Sequence, residues 1–156
     1  MSADNTPLYI ASFGRLYESL APIGYALLRL TAGLMLMPHG AQKLFGMFGG
    51  FGLEKTAGWF GTLGLPASPT LVLLVGITEL LGCACIAAGF LTRFWATGAA
   101  IQLAVATVSV HWAKGYFITT GANGMEFALL WLVVMLALAT SGSGRFSIDR
   151  AIGREL

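Results

Sequence analysis

Charge is what this chain has least of. Asp, Glu, Lys and Arg make up only 10% of its 156 residues, against roughly 25% in ordinary soluble domains. With 56% hydrophobic residues and a mean hydropathy of +0.77, the composition is that of a membrane protein and excludes a soluble globular class. The nine Lys and Arg are scattered, leave a net charge of +2 and form no run that could track a phosphate backbone, so nucleic acid is excluded as a partner. The two cysteines, Cys83 and Cys85, lie two apart on one apolar segment. Neighbours at that spacing point to nearly opposite sides of a helix, which disfavours a disulfide and leaves two small buried hydrophobes. The sequence carries no flavin or nucleotide fingerprint, no four-cysteine pattern and no other metal-ligand set. It has no inverted repeat or ring of charge, which argues against a transporter or channel. Asp4, Arg15 and Glu18 precede the first long apolar run, unlike a signal peptide, so the N-terminus is expected to stay on the mature chain.

What is present is a series of apolar runs, at about 22–45, 70–91, 94–112 and 124–141, each close to the roughly 20 residues that cross a bilayer. They predict an all-α integral membrane four-helix bundle occupying residues 22–141. Residues 1–21 form an N-terminal segment in which Tyr9, Phe13, Leu16 and Leu20 share one side, the pattern of a short interfacial helix. The glycine-rich stretch 46–69 places Leu53, Ala57 and Phe60 at helical spacing before Pro66, which predicts a second interfacial helix. Its aromatics, Phe45, Phe48, Phe51 and Phe60, read as packing or membrane anchors. Residues 142–156 form a tail. Four spans put both ends on one side. Arg15, Arg93, Arg145, Arg150 and Arg154 fall there, against Lys43, Lys55 and Lys114 opposite, which predicts cytoplasmic termini in a bacterial inner membrane.

The few polar residues within the runs are the candidates for chemistry. His39 and Lys43, four apart in MLMPHGAQKLFG, share a helix face, and Arg29 points to nearly the same side fourteen residues earlier. Pro38 withholds a hydrogen bond from the carbonyl of Leu34 beside the histidine. His111, Asn123 and Glu126 fall at similar depth near the outer span ends. Arg29 and Glu79 are placed level with each other, and since an unpaired charge near the bilayer centre costs about 2.5–3.5 kcal/mol, a pair or a neutral Glu79 is expected. Blander readings stand beside these: a structural ion pair for Arg29 and Glu79, a wetted interfacial cluster for His111, and a helix-terminal acid and cap for Glu126 and Asn123. Gln102 lies on the opposite side of its helix from His111 and reads as a helix contact.

The sequence resembles the DoxX family of small four-helix bacterial membrane proteins. The resemblance rests on Arg29, Gly33, His39, Gly40 and Lys43 in RLTAGLMLMPHGAQK, on Gly76, Glu79 and Gly82 in GITELLG, and on GFLTR from Gly89 to Arg93. It continues through His111, NGMEF from Asn123 and GSGRFSID to Asp149. It implies that the family's recurring polar positions fall on Arg29, His39, Lys43, Glu79, His111 and Glu126, and that the chain is similar to a small subunit of a thiosulfate:quinone oxidoreductase.

Three functions follow from these residues. As a subunit of a redox complex handling quinone, the chain would use His39 or His111 to hydrogen-bond a quinone carbonyl and Glu79 or Glu126 to shuttle protons. Arg29 and Lys43 would set the local field, and a partner subunit would supply electrons. As a b-type haem subunit, it would use His39 and His111 as axial ligands. As a non-catalytic accessory or assembly subunit, it would use its intramembrane charges and Gly/Ala faces to dock another membrane chain or a second copy.

Overall fold

The computed structural model describes residues 8–119 and 122–156; residues 1–7 of the N-terminal segment lie outside it. Its long helices are Gly14–Phe45, Pro69–Ala88, Thr92–Lys114 and Glu126–Ser141. The first three are long and apolar enough to cross a membrane, and the fourth is a shorter apolar helix of 16 residues, about 24 Å. They pack up-and-down as an all-α bundle, with the fourth laid along the third and the second along the first.

The first helix departs from expectation. It has no break at Pro22: one helix of 32 residues runs through both Pro22 and Pro38, so the interfacial segment expected to end near residue 20 continues into the first span. A proline removes one backbone hydrogen bond. In an apolar medium, breaking the helix would strand several such groups, so continuity is the cheaper solution.

Small residues set how the helices meet. A side chain on Gly33 would overlap the backbone at Cys83 and Ala87, and one on Gly40 would overlap Gly76 and Leu80. These glycines, seven apart, lie on one face of the first helix and let the second approach backbone to backbone. Gly82 in turn accommodates the ring of Trp95 on the third helix. Between the helices lies a core of Ala32, Leu36, Ile86, Ala99, Met135 and Leu138. The outward faces carry exposed Leu, Ile, Val and Phe along every long helix, as lipid contact requires. Cys83 and Cys85 are both free.

The predicted helix in 46–69 is present as Gly52–Thr62. Ala57 and Phe60 are buried, and with Leu53 they pack against Val72 of the second helix. Phe60 is therefore a core residue, whereas Phe45, Phe48 and Phe51 are exposed. Between the third and fourth helices the chain makes a small antiparallel ribbon, Ile118 opposite Asn123 and Thr119 opposite Ala122, in the stretch that the apolar pattern had left between the third and fourth spans.

Candidate functional site

The helical hydrogen-bond pattern is interrupted twice by π-helical turns, Thr78–Gly82 in the second helix and Thr107–His111 in the third. Each opens on a threonine whose hydroxyl bonds back one turn, Thr78 to the Leu74 carbonyl at 2.9 Å and Thr107 to that of Leu103 at 2.7 Å. Such back-bonding loosens a helix, and single π turns recur at functional sites. The two turns contain Glu79 and His111.

Glu79, near the midpoint of the second helix, accepts a hydrogen bond from Lys43 Nζ at 2.6 Å, with side-chain exposures of 18% and 20%. Lys43 lies in the last turn of the first helix, which Gly46 ends in the left-handed conformation (φ 70°). A cation is favoured there by the helix dipole. Each charge offsets the cost of desolvating the other; removing one alone would strand a part-buried ion.

Arg29 does not meet Glu79. Its guanidinium, on a residue only 4% exposed, donates to the backbone carbonyls of Ser143 and Phe146, the latter at 2.6 Å. The glycine contacts explain the correction. With Gly33 set on Cys83 and Ala87, Arg29 stands beside Gly89 at the end of the second helix, about 15 Å of helix away from Glu79 and about 21 Å from Lys43. Assigning the first span to 22–45 put Arg29 too deep.

Around Arg29 the tail is tied to the bundle by residues that the apolar pattern had not marked. Tyr25 donates its hydroxyl to the Gly142 carbonyl at 2.5 Å. Buried Asp149 accepts from the Leu91 amide at 3.0 Å, while its own amide donates to the Gly89 carbonyl. Arg93 bonds the Ala139 and Thr140 carbonyls and faces Glu155 at 3.7 Å, and Glu155 accepts from the Ser143 amide. The available signal was the string of polar residues in GSGRFSID, whose donors and acceptors need partners at a membrane face.

At the opposite end, His111 Nδ1 lies 2.7 Å from the Asn123 carbonyl oxygen, and Glu126 accepts from the Ile118 amide at 2.6 Å. Both hold the ribbon over the helix ends. A carbonyl oxygen only accepts, so Nδ1 is the donor in that contact. Glu126 also lies in the first turn of its helix, where the dipole favours an acid; Asn123 contributes its backbone, not a side-chain cap. His39 is exposed and, among the described residues, has no hydrogen-bond partner. Of the six candidates, then, Lys43 and Glu79 form a pair, His111 and Glu126 clamp one ribbon, His39 stands on an open face one turn from Lys43, and Arg29 belongs to the other end. No group of three or more His, Cys, Asp or Glu is gathered to hold a metal among the described residues.

Fold and composition together define an all-α integral membrane protein. The family model of DoxX matches residues 24–112, and the chain belongs to the DoxX family. An uncharacterized protein of Haemophilus influenzae is 32% identical over 133 residues, 85% of this chain and 92% of that one. A Bacillus subtilis protein named "Putative oxidoreductase CatD" is 32% identical over 127 residues, 81% of this chain and 85% of that one. An uncharacterized membrane protein of Mycobacterium tuberculosis is 28% identical over 151 residues, 92% of this chain and 90% of that one. No solved structure matches the chain significantly.

Proposed function

We propose that this DoxX protein is a membrane subunit of a redox complex and exchanges protons with a quinone at the Lys43–Glu79 end of the bundle. We place it in the bacterial inner membrane with both termini cytoplasmic. The observation that carries the reading is the Lys43–Glu79 pair, a base and an acid in direct contact with the acid set in a π-helical turn, and an imidazole one helical turn from Lys43 that has no hydrogen-bond partner among the described residues. Quinone chemistry moves protons with electrons, so it needs titratable groups that a lipid-borne headgroup can reach. His39, on a face open to lipid, fits the role of hydrogen-bonding a quinone carbonyl. Lys43 and Glu79 relay the proton, and the imidazole of His111 is a second titratable ring at the same end. The name of the Bacillus relative agrees with redox chemistry. Electrons would come from a partner, since the sequence carries no flavin or nucleotide fingerprint and no four-cysteine pattern.

The accessory reading drew on Arg29, Glu79 and the glycine faces. Arg29 and Glu79 are partnered within the chain and Gly33, Gly40 and Gly82 pack within it, whereas Gly24 meets nothing of the chain closely and Ala88 stands exposed, which keeps a face for a partner helix. The test is lipid extraction of protein isolated in mild detergent. Quinone should co-purify with the wild type and be lost from His39→Ala; retention in that variant contradicts the assigned role. A Soret band that disappears in both His39→Ala and His111→Ala would replace quinone with haem.

A further inference from the structure

The tail sorts its charges by direction. Its two acids turn inward: Asp149, 2% exposed, accepts from the Leu91 amide, and Glu155 accepts from the Ser143 amide and faces Arg93. Its three arginines turn outward. Arg145, Arg150 and Arg154 are exposed, and among the described residues none has a carboxylate within 4 Å.

The large apolar side chains of the tail, Phe146, Ile148, Ile152 and Leu156, are exposed as well. Two of them continue the lipid-facing surface of the spans. Phe146 shares a groove with Ile23, Leu27 and Leu30 of the first helix, and Leu156 shares another with Phe94 and Ile101 of the third. All five of those helix residues are themselves exposed. Between these two points, the short helix Ile148–Ile152 sets its isoleucines four apart on one face, buried Asp149 to the side and Arg150 roughly opposite the isoleucines.

Apolar side chains continuous with a lipid-facing surface and bordered by unpaired cations match the boundary between acyl chains and headgroups. We propose that residues 145–156 lie as an interfacial belt on an anionic bilayer surface, with Phe146, Ile148, Ile152 and Leu156 in the acyl boundary and Arg145, Arg150 and Arg154 among the headgroups. Charge selects the lipid. A zwitterionic surface receives the apolar residues equally well, whereas each arginine near an anionic leaflet strengthens attachment about fivefold. The continuity of Phe146 and Leu156 with the lipid-facing helices favours a bilayer over an acidic protein, which would have to enter the bilayer edge to reach them. The belt adds to the hold that Arg29, Tyr25 and Asp149 have on the tail, so docking tightens as the leaflet becomes more anionic. It does not rest on the proposed quinone chemistry.

The test is hydrogen exchange of the purified chain in nanodiscs of phosphatidylglycerol or of phosphatidylcholine, read at the amides of Ala151, Gly153 and Arg154, which donate to tail carbonyls. Wild-type exchange should be at least about tenfold slower in phosphatidylglycerol, and the difference should shrink as salt rises from about 0.05 to 0.5 M. Arg145→Gln, Arg150→Gln and Arg154→Gln together should bring the two lipids to the same rate. Ile148→Ser with Ile152→Ser should quicken exchange in both. All five positions are exposed, and exchange within the first helix reports that each variant is folded. The proposal is overturned by equal wild-type rates in the two lipids, the result expected if the arginines serve an acidic protein instead. It is equally overturned by a lipid difference that survives in the triple arginine variant or at high salt, or by unchanged rates in the isoleucine variant.

Discussion

The two ends of the bundle use their charges in opposite ways. At the end where the tail docks, Arg29, Arg93, Tyr25 and Asp149 bond to backbone amides and carbonyls, groups that do not titrate, and Arg93 also faces Glu155 at 3.7 Å. At the other end His111 and Glu126 likewise bond backbone groups, but Lys43 bonds Glu79 side chain to side chain, and His39 has no partner among the described residues. On the proposed function, the first end holds the tail and the Lys43–Glu79 end exchanges protons, and substitutions should tell them apart.

The largest expected effect is at the holding end. Arg29→Leu strands the carbonyls of Ser143 and Phe146, and hydrogen bonds to charged groups contribute about 1.5–3 kcal/mol each. A loss of about 3 kcal/mol or more should appear as a large drop in thermal midpoint, with the tail becoming open to protease. Conservation of charge in Arg29→Lys should recover little, because one ammonium cannot reproduce the two-nitrogen fork.

At the exchanging end, Glu79→Ala leaves Lys43 part-buried and unpaired, a loss of about 3 kcal/mol. The double change Lys43→Met with Glu79→Met should restore most of that stability, since an apolar pair of similar size needs no compensating charge. A double-mutant cycle by thermal unfolding measures the coupling, and a cycle showing none would remove the pair from the account.

Glu126→Gln should act locally. Its neutral amide oxygen is a weaker acceptor for the Ile118 amide, so exchange of that hydrogen should quicken severalfold while the global midpoint shifts by about 1 kcal/mol or less. His39→Ala, at an exposed position without hydrogen bonds among the described residues, should change stability by under about 0.5 kcal/mol. A larger change would mean that the histidine is structural.

Much of this contrast was legible in the sequence. The four apolar runs, the helical spacing of Leu53, Ala57 and Phe60, and the small-residue faces all reflect periodicities that burial imposes locally. The depth of Arg29 was not legible, because it depends on how far one helix slides along another. That register was set by Gly33 and Gly40 meeting the second-helix backbone at Cys83 and Ala87 and at Gly76 and Leu80, contacts between segments far apart in the chain. The continuity of the first helix through Pro22 was missed for a related reason: proline breaks helices in water, where stranded groups find solvent, more readily than in lipid. The tail's hold on Arg29 through backbone carbonyls left no side-chain pattern to read. Lys43 and Glu79 were each singled out as polar residues in apolar runs, but only the fold made them partners.

The most direct measurement is the quinone-linked redox turnover of the Lys43→Met, Glu79→Met double variant in its native membrane. The variant should be folded, since its apolar pair offsets the lost ion pair, and should retain its tail docking and its quinone while losing turnover. A folded double variant that turns over at the wild-type rate would contradict the assignment of this end of the bundle to proton exchange.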